Sequence, residues 1–594
     1  MRLWHRVQWN KILRLVHAPK HPVESLWVHL NDLPAETQQR SQFRVLVEHL
    51  FGRFFEGDDP TAHGQTRARI LHIGVSLGIP GLMWTLALIP SYYGIVPYGV
   101  ARPHWLQIQD HFLCIVYSFV TVGVVALMKW DMFLPDLLDV RILTVMPLHA
   151  RRLFIAKVCA ILLFLAFFLV GANLPTTIFL PAIAESASFL RHIAAHLLAV
   201  SLAAIFAAAS CLSLVAFVTK FLRSSATRAL VPVLQGLLMA VLLMLLFLSP
   251  LLSPLLKPLL QSDSRIVYWF PPAWFLGLYQ VVMGSTEDTG NFQILAALAI
   301  AATLLSVSLL LALYPLAYRK RVVQVIEGES GGHASRRYFA WVTYLLNRYY
   351  LPAAGQRATY YFVTQTLFRI QRYRIYIALA LSVGVSVATM YATSFAVTNG
   401  SLVAKLSSER LAGGSMIFIF SVIGGVFLCL RSPTEPGASW LFTSIVGQTV
   451  RDLTSGTRRW VVIFSVGAAA ALAVPVYLLS QRQSGNPMHL LSDMGFCLLL
   501  TELFFLSFQR VPFTPIGSDL GRDLPTVVQH CVLACIALPA VMMVEGWIEQ
   551  SWLLSVVWLA SLLIATSAFN SWYLNLDASF ASDDIPESAQ QLGL

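Results

Sequence analysis

The stretch Arg151–Leu180, RRLFIAKVCAILLFLAFFLVGANLPTTIFL, opens on two arginines, and after Lys157 carries no further charge. About 20 apolar residues suffice for a helix to cross the hydrocarbon core of a bilayer, so this run reads as a membrane span with a basic entrance. Composition extends the reading to the whole chain. Of 594 residues, 57% are hydrophobic and 12% charged, against about 25% charged in soluble domains.

Twelve such runs are expected, at roughly 70–89, 110–128, 154–180, 193–218, 229–249, 292–316, 375–397, 413–430, 460–480, 488–508, 526–544 and 552–570. They divide six and six about a polar linker. The expected fold is an all-α polytopic membrane protein of about twelve transmembrane helices in two six-helix halves, with cytoplasmic amphipathic helices. Its regions are an entry region (1–69), a first half (70–317), a linker with a second entry helix (318–374), a second half (375–570) and a tail (571–594).

Lys and Arg set the orientation of such chains. With the N-terminus inside, the great majority of the 41 Lys and Arg residues fall in inner segments, so both termini are expected in the cytoplasm. The opening MRLWHRVQWNKILRLVHAPK never builds an uninterrupted apolar core and does not read as a signal peptide. The net charge of +11 then speaks for orientation and contact with the lipid bilayer. Without a compact basic domain it does not point to nucleic acid. All seven cysteines lie in apolar runs, where they act as small hydrophobes. Cys531 and Cys535 sit one turn apart beside His530, but ligand partners of matching spacing are missing, so no metal site is expected.

The segment between the second and third expected spans is therefore an inner one. In LPDLLDVRILTV, Leu134, Leu138, Ile142 and Val145 share one helical face, with Asp136, Asp139 and Arg141 elsewhere. Pro147 ends the helix, because proline offers no amide and crowds the preceding turn. The expectation is a short helix along the membrane surface, then His149, Arg151 and Arg152, then Lys157 snorkelling from the start of span three.

This surface helix, the exit MPLHARRLFIAK and the amphipathic SQFRVLVEHLFGRFF (41–55) before span one together resemble the permease subunit of ABC-2 type (type V) ABC transporters. The chain is similar to two such six-span permeases fused. The resemblance implies a bacterial inner-membrane protein whose residues Asp136, Asp139, Arg141, His149, Arg151, Arg152 and Lys157 couple to a separate ABC ATPase dimer. It further implies a second entry helix, TYYFVTQTLFRIQRYR (359–374). Arg369, Arg372 and Arg374 there, with Arg458 and Arg459, are the expected inner contacts of the second half. WFPPAWFLGLYQVVMG (269–284) is similar in position to the family's outer re-entrant hairpin, with Pro271, Pro272 and Trp274 at its break. FQRVPFTPIG (508–517) also looks like stretches of large bacterial permeases. The second half departs from the pattern in lacking the Pro-basic-Lys exit into its third span.

No G-x-x-x-x-G-K-[ST] loop occurs in the sequence. The chain is not expected to be an enzyme or to bind a cofactor, and ATP and Mg belong on the partner subunit. Coupling then requires a stiff inner element continuous with the spans, with contacts that differ between two conformations. Arg151 and Arg152 either pair with acidic groups of an ATPase or anchor to anionic headgroups.

Glu502, inside an expected span, needs a partner. It either lines a substrate path or pairs structurally with a cation near the inner end. His192 and His196 are one turn apart at the outer end of span four, and Asp110 and His111 open span two. They read either as a metal or proton relay or, more commonly, as interfacial polar residues. The remaining function classes are a twelve-span secondary transporter and a membrane-embedded enzyme or assembly scaffold. Neither substrate nor transport direction is legible.

Overall fold

The computed structural model describes residues 35–55, 66–95, 102–135, 150–184, 188–262, 264–284, 291–326, 340–398, 401–432, 450–480, 488–505, 512–513 and 551–580, with single positions between 539 and 548. Asp136, Asp139, Arg141, His149, Cys531 and Cys535, the loop 433–449 and most of the expected span 526–544 lie outside the described residues.

The elements are α1 (Ala35–Arg53), α2 (Thr66–Tyr92), α3 (His104–Met128), α4 (Trp130–Phe133), α5 (Ala150–Ile183), α6 (Phe189–Phe221) and α7 (Ser224–Leu252). The short α8 (Leu256–Gln261) and α9 (Arg265–Tyr268) lead to α10 (Pro271–Met283) and α11 (Asn291–Ile326). Then come α12 (Ala340–Leu345), α13 (Ala354–Arg369) and α14 (Gln371–Ala392). A hairpin of β1 (Thr393–Thr398) and β2 (Ser401–Leu406) precedes α15 (Ser408–Arg431), α16 (Val450–Ser480), α17 (Met488–Phe505) and α18 (Trp552–Phe580).

Among the described residues, eight helices are long and apolar enough to cross a membrane: Ile70–Tyr92, His104–Met128, Arg151–Ile183, Phe189–Phe221, Ala229–Gln261, Asn291–Gln324, Gln371–Ala392 and Gly413–Arg431. This is the build of a multi-pass membrane protein. Three further expected spans coincide with α16, α17 and α18.

The chain divides into two compact units, one of residues 1–73 and 135–167, the other of 74–134 and 168–594. In the first, α1 lies against the beginning of α5. Phe54 and Phe55 stack around the fully buried Phe164 at 5.1 and 5.2 Å, and Phe55 meets Phe167 edge-on at 5.3 Å. Ala156 and Ala160 are buried without side-chain bulk, which leaves room for the rings.

In the second unit, α3 and α6 form the interior pair. Ala195, Ala199, Ala203 and Ala207 of α6 are buried, and such small residues allow close helix approach. Ser118 Oγ donates to the Val200 carbonyl at 3.0 Å and accepts from Asn173 Nδ2 at 2.9 Å. At the C-terminus of α6, Lys320 of α11 donates to the carbonyls of Thr219, Lys220 and Leu222, which would otherwise lack intrahelical partners. Helices α7 and α14 join the first half to the second. Gly236 faces Ala378, and the hydroxyls of Ser382 and Ser386, which donate at 2.7 Å to the carbonyls four residues back in their own helix, lie 3.1 and 3.3 Å from the carbonyls of Gly236 and Ala240.

The second half has its own core of Val363, Leu367, Tyr373, Ile377, Ile419, Ile423, Trp460 and Phe504. Phe513, in the FQRVPFTPIG turn, is buried at φ +66°, a conformation that costs a bulky residue energy. Its ring lies 5.1 Å from Tyr373 and 5.8 Å from Phe362, and this core packing holds the strained turn.

Three expectations are corrected. The seventh span does not run to 397: its helix ends at Ala392 and the chain turns through an antiparallel hairpin, pairing Thr393 with Leu406 and Thr398 with Ser401. The fold is therefore not purely helical. Val397 and Leu402 seat the hairpin on a cluster around Leu259, Val267 and Phe292. The apolar, β-branched composition of TSFAVT suits span and strand alike. The second entry helix stops at Arg369, because Ile370 takes an extended conformation (φ −81°, ψ 119°); Arg372 and Arg374 thus belong to the next helix. A short helix, α4, also precedes the predicted surface segment.

Candidate functional site

The predicted coupling residues that are described all lie on the first turns of α5. Arg151 and Arg152 are exposed. Lys157 is buried, its ammonium 5.9 Å from the Phe54 ring centroid. The aromatic edge of α1 covers its stem and supplies a face for the cation.

The second half repeats part of this arrangement. Helix α13 lies against the beginning of α16: Trp460 Nε1 donates to Thr364 Oγ1 at 2.8 Å, Gln356 Nε2 to Ser455 Oγ at 3.2 Å, and Phe368 packs 6.3 Å from Trp460. An arginine doublet lies in the early turns of this long helix too, and it is engaged within the chain. Arg458 pairs with Glu502 of α17. Arg459 donates to Gln356 Oε1 at 2.9 Å and to the Tyr350 carbonyl, and lies over the Tyr350 ring. Arg372 donates to Ser432 Oγ at 2.7 Å. Of the expected second-half contact residues, Arg369 is exposed, whereas Arg372, Arg458 and Arg459 spend their donors inside the chain.

A partly buried charged cluster that sequence reasoning missed sits at the end of α3. Asp131 of α4 lies beside Gln371 of α14 and Gln235 of α7, and faces Arg321 of α11 and Arg374 of α14. Gln235 Nε2 donates to the Leu127 carbonyl at 2.9 Å. Tyr314 donates to the Phe133 carbonyl at 2.7 Å, and Trp130 and Phe133 are buried, so α4 is held firmly. Burial raises the Asp131 carboxyl above the usual carboxylate range, with the glutamines and arginines pulling the other way. Nothing in local sequence marks Asp131, because four separated helices build its surroundings.

The sign of the consequence follows by linkage. A folded-state carboxyl raised above its unfolded value of 3.8 binds protons that the unfolded chain releases. Stability therefore falls as pH rises from that value through the raised one. Asp131→Asn is expected to flatten this dependence and, at neutral pH, to unfold no earlier than the wild type. Thermal unfolding in detergent at a series of pH values reads both effects; earlier unfolding of Asp131→Asn at neutral pH would instead mark a net stabilising ion pair.

At the opposite end of α3 a second polar cluster gathers the residues singled out in the first half. Arg102 grips Asp110 with two hydrogen bonds of 2.6 Å, and Tyr92 OH donates to the same carboxylate at 3.0 Å. Next to it, His111 stacks on Tyr279 with ring centroids 4.2 Å apart. His192 and His196 present their edges to Tyr279 at 5.9 and 5.8 Å. Tyr279 comes from α10, the stretch expected to be re-entrant. Pro271 and Pro272 occupy its first turn, where the missing amide costs nothing. Trp274 Nε1 donates to the Tyr268 carbonyl at 2.9 Å. Gly284 closes the helix at φ +68°, the left-handed conformation glycine adopts freely. Among the described residues no group of three His, Cys, Asp or Glu side chains is arranged to hold a metal ion.

No protein-family model matches the chain, and no curated protein or solved structure matches it either.

Proposed function

We propose that the chain is the membrane-spanning permease subunit of an ABC-2 type transporter, built of two six-span permease-like halves with both termini in the cytoplasm of a bacterium. ATP hydrolysed by a separate nucleotide-binding dimer drives movement of its substrate, in the direction of export. One repeated contact carries the reading: in each half the amphipathic helix before the first span packs on the entrance of the third, α1 on α5 through Phe54 and Phe164, and α13 on α16 through Thr364 and Trp460. A push on the inner surface then meets a helix braced against a long span. Bracing is what transmission needs, since a flexible tether would absorb the displacement.

Arg151 and Arg152 are exposed, while Arg458 and Arg459 are engaged internally. Co-expression with a P-loop ATPase carrying an ABC signature from the same genome is expected to yield a complex that co-purifies. Arg151→Glu with Arg152→Glu is expected to weaken that complex at least about tenfold, the loss of roughly 1.4 kcal/mol or more. Undiminished complex with the doubly reversed chain would assign the doublet to lipid headgroups. A proton-gradient-dependent transport activity needing no ATPase would replace the reading with secondary transport.

A further inference from the structure

The polar cluster around Tyr279 carries an inference independent of the ATPase reading, and it rests on which ring nitrogens hold protons. Thr176 Oγ1 donates its single proton to the Asn173 carbonyl at 2.9 Å. Its contact with His196 Nε2, at 3.2 Å, therefore has the imidazole as donor. A neutral imidazole carries one proton. His196 Nδ1 is thus a bare lone pair, and it is enclosed with no hydrogen-bond partner among the described residues.

His111 takes the other tautomer. Gln280 Nε2 lies 3.4 Å from His111 Nδ1 and, as an amide, can only donate. His111 Nε2 therefore bears the proton, and it too is enclosed without a partner among the described residues. Tyr279 OH, able to donate and to accept, is the third enclosed polar atom in the group. His111, His196 and Tyr279 are all more than nine-tenths buried. Buried polar groups are ordinarily paired, and the exceptions call for an account.

A metal is disfavoured, since the rings do not converge on a point. A proton needs no cavity. We propose that His196 Nδ1 is a proton-acceptor site, with the Tyr279 hydroxyl and His111 as the neighbours that share the bound proton. Uptake forms one N–H bond on Nδ1, breaks one O–H bond of a hydronium ion and leaves water. The product is an imidazolium in the bundle interior.

The surrounding charges are already committed. On α3, Asp110 is held by Arg102 and Tyr92, His104 is exposed and Cys114 is buried. On α6, His192 meets the rings of His111 and Tyr279 edge-on, and Arg191 donates to the Val282 carbonyl at 2.6 Å. Helix α5 has no ionisable side chain after Cys159, and α11 none before Tyr314. The imidazolium would lack a counter-ion, and a buried charge without one is costly. Helix α10, with 13 residues, is about 20 Å long and too short to span the core. It is the element whose displacement would admit water to the new charge.

The test is solid-state NMR of the full chain, labelled with nitrogen-15 in its histidine rings and held in lipid nanodiscs, titrated from about pH 8 to about pH 3, through and below the ordinary histidine range. Of the cluster's three histidine rings, one is expected to pass from the neutral to the imidazolium signature. His196→Gln is expected to remove that signal and His192→Gln to keep it. Amide exchange in 271–283, corrected for intrinsic rates, is expected to rise over the same range in wild type and not in His196→Gln. Persistence of the titrating signal in His196→Gln, or its loss in His192→Gln alone, would overturn the assignment. So would a wild-type spectrum in which none of the cluster's rings titrates. If His196→Gln does not fold, Thr176→Ala, which frees the His196 tautomer, is expected to move the titration midpoint; an unmoved midpoint counts against the site.

Discussion

Arg458→Gln is expected to destabilise the second half by about 3 kcal/mol, because it leaves the Glu502 carboxylate largely enclosed without its charged partner. The two side chains pair across α16 and α17 and are 14% and 15% exposed. Removing a lone partner costs more than removing both, since the remaining charge must then be accommodated in an apolar surrounding. Glu502→Gln combined with Arg458→Gln is therefore expected to recover most of the loss. Thermal unfolding in detergent, followed by tryptophan fluorescence, supplies the comparison. Equal stability of Arg458→Gln and wild type would show that Glu502 finds its stabilisation elsewhere, and a substrate path would become the better reading for it.

The second large effect is local. Phe164 is fully buried against Phe54 and Phe55, so Phe164→Ala removes the ring that holds α1 to α5. Truncating a buried phenylalanine costs about 3–5 kcal/mol, and the loss falls on the unit of residues 1–73 and 135–167. Amide exchange in 42–55 is expected to rise steeply while exchange in α14 and α15 stays at wild-type levels. If the permease reading holds, the same variant keeps its ATPase partner yet loses stimulation of hydrolysis. Unchanged exchange in α1 would mean that the aromatic contact contributes little to bracing the span.

How far the sequence could be read differs from one element to another. The eight long apolar helices were legible because membrane crossing imposes a length and a composition on every span separately. The end of the seventh was not. In TSFAVT the apolar content satisfies a span and a strand equally, and the choice was made by Val397 and Leu402 seating on Leu259 and Phe292 from the other half. The histidines show a similar division. Spacing put His192 and His196 one turn apart, but the third ring and the tyrosine between them come from α3 and α10, far away in the chain.

Asp131 marks the limit most clearly. It lies in the unremarkable KWDMFL, and only the convergence of Gln235, Arg321, Gln371 and Arg374 makes it a partly buried charged centre. By itself the sequence determined that this is a chain of long apolar helices, because hydropathy acts segment by segment. The tertiary structure alone decided which arginines are spent internally, which histidine nitrogen is left bare and where the helices give way to a hairpin. Those outcomes depend on hydrogen bonds and contacts between residues of separate elements, from 20 to well over a hundred positions apart, and no local pattern encodes them.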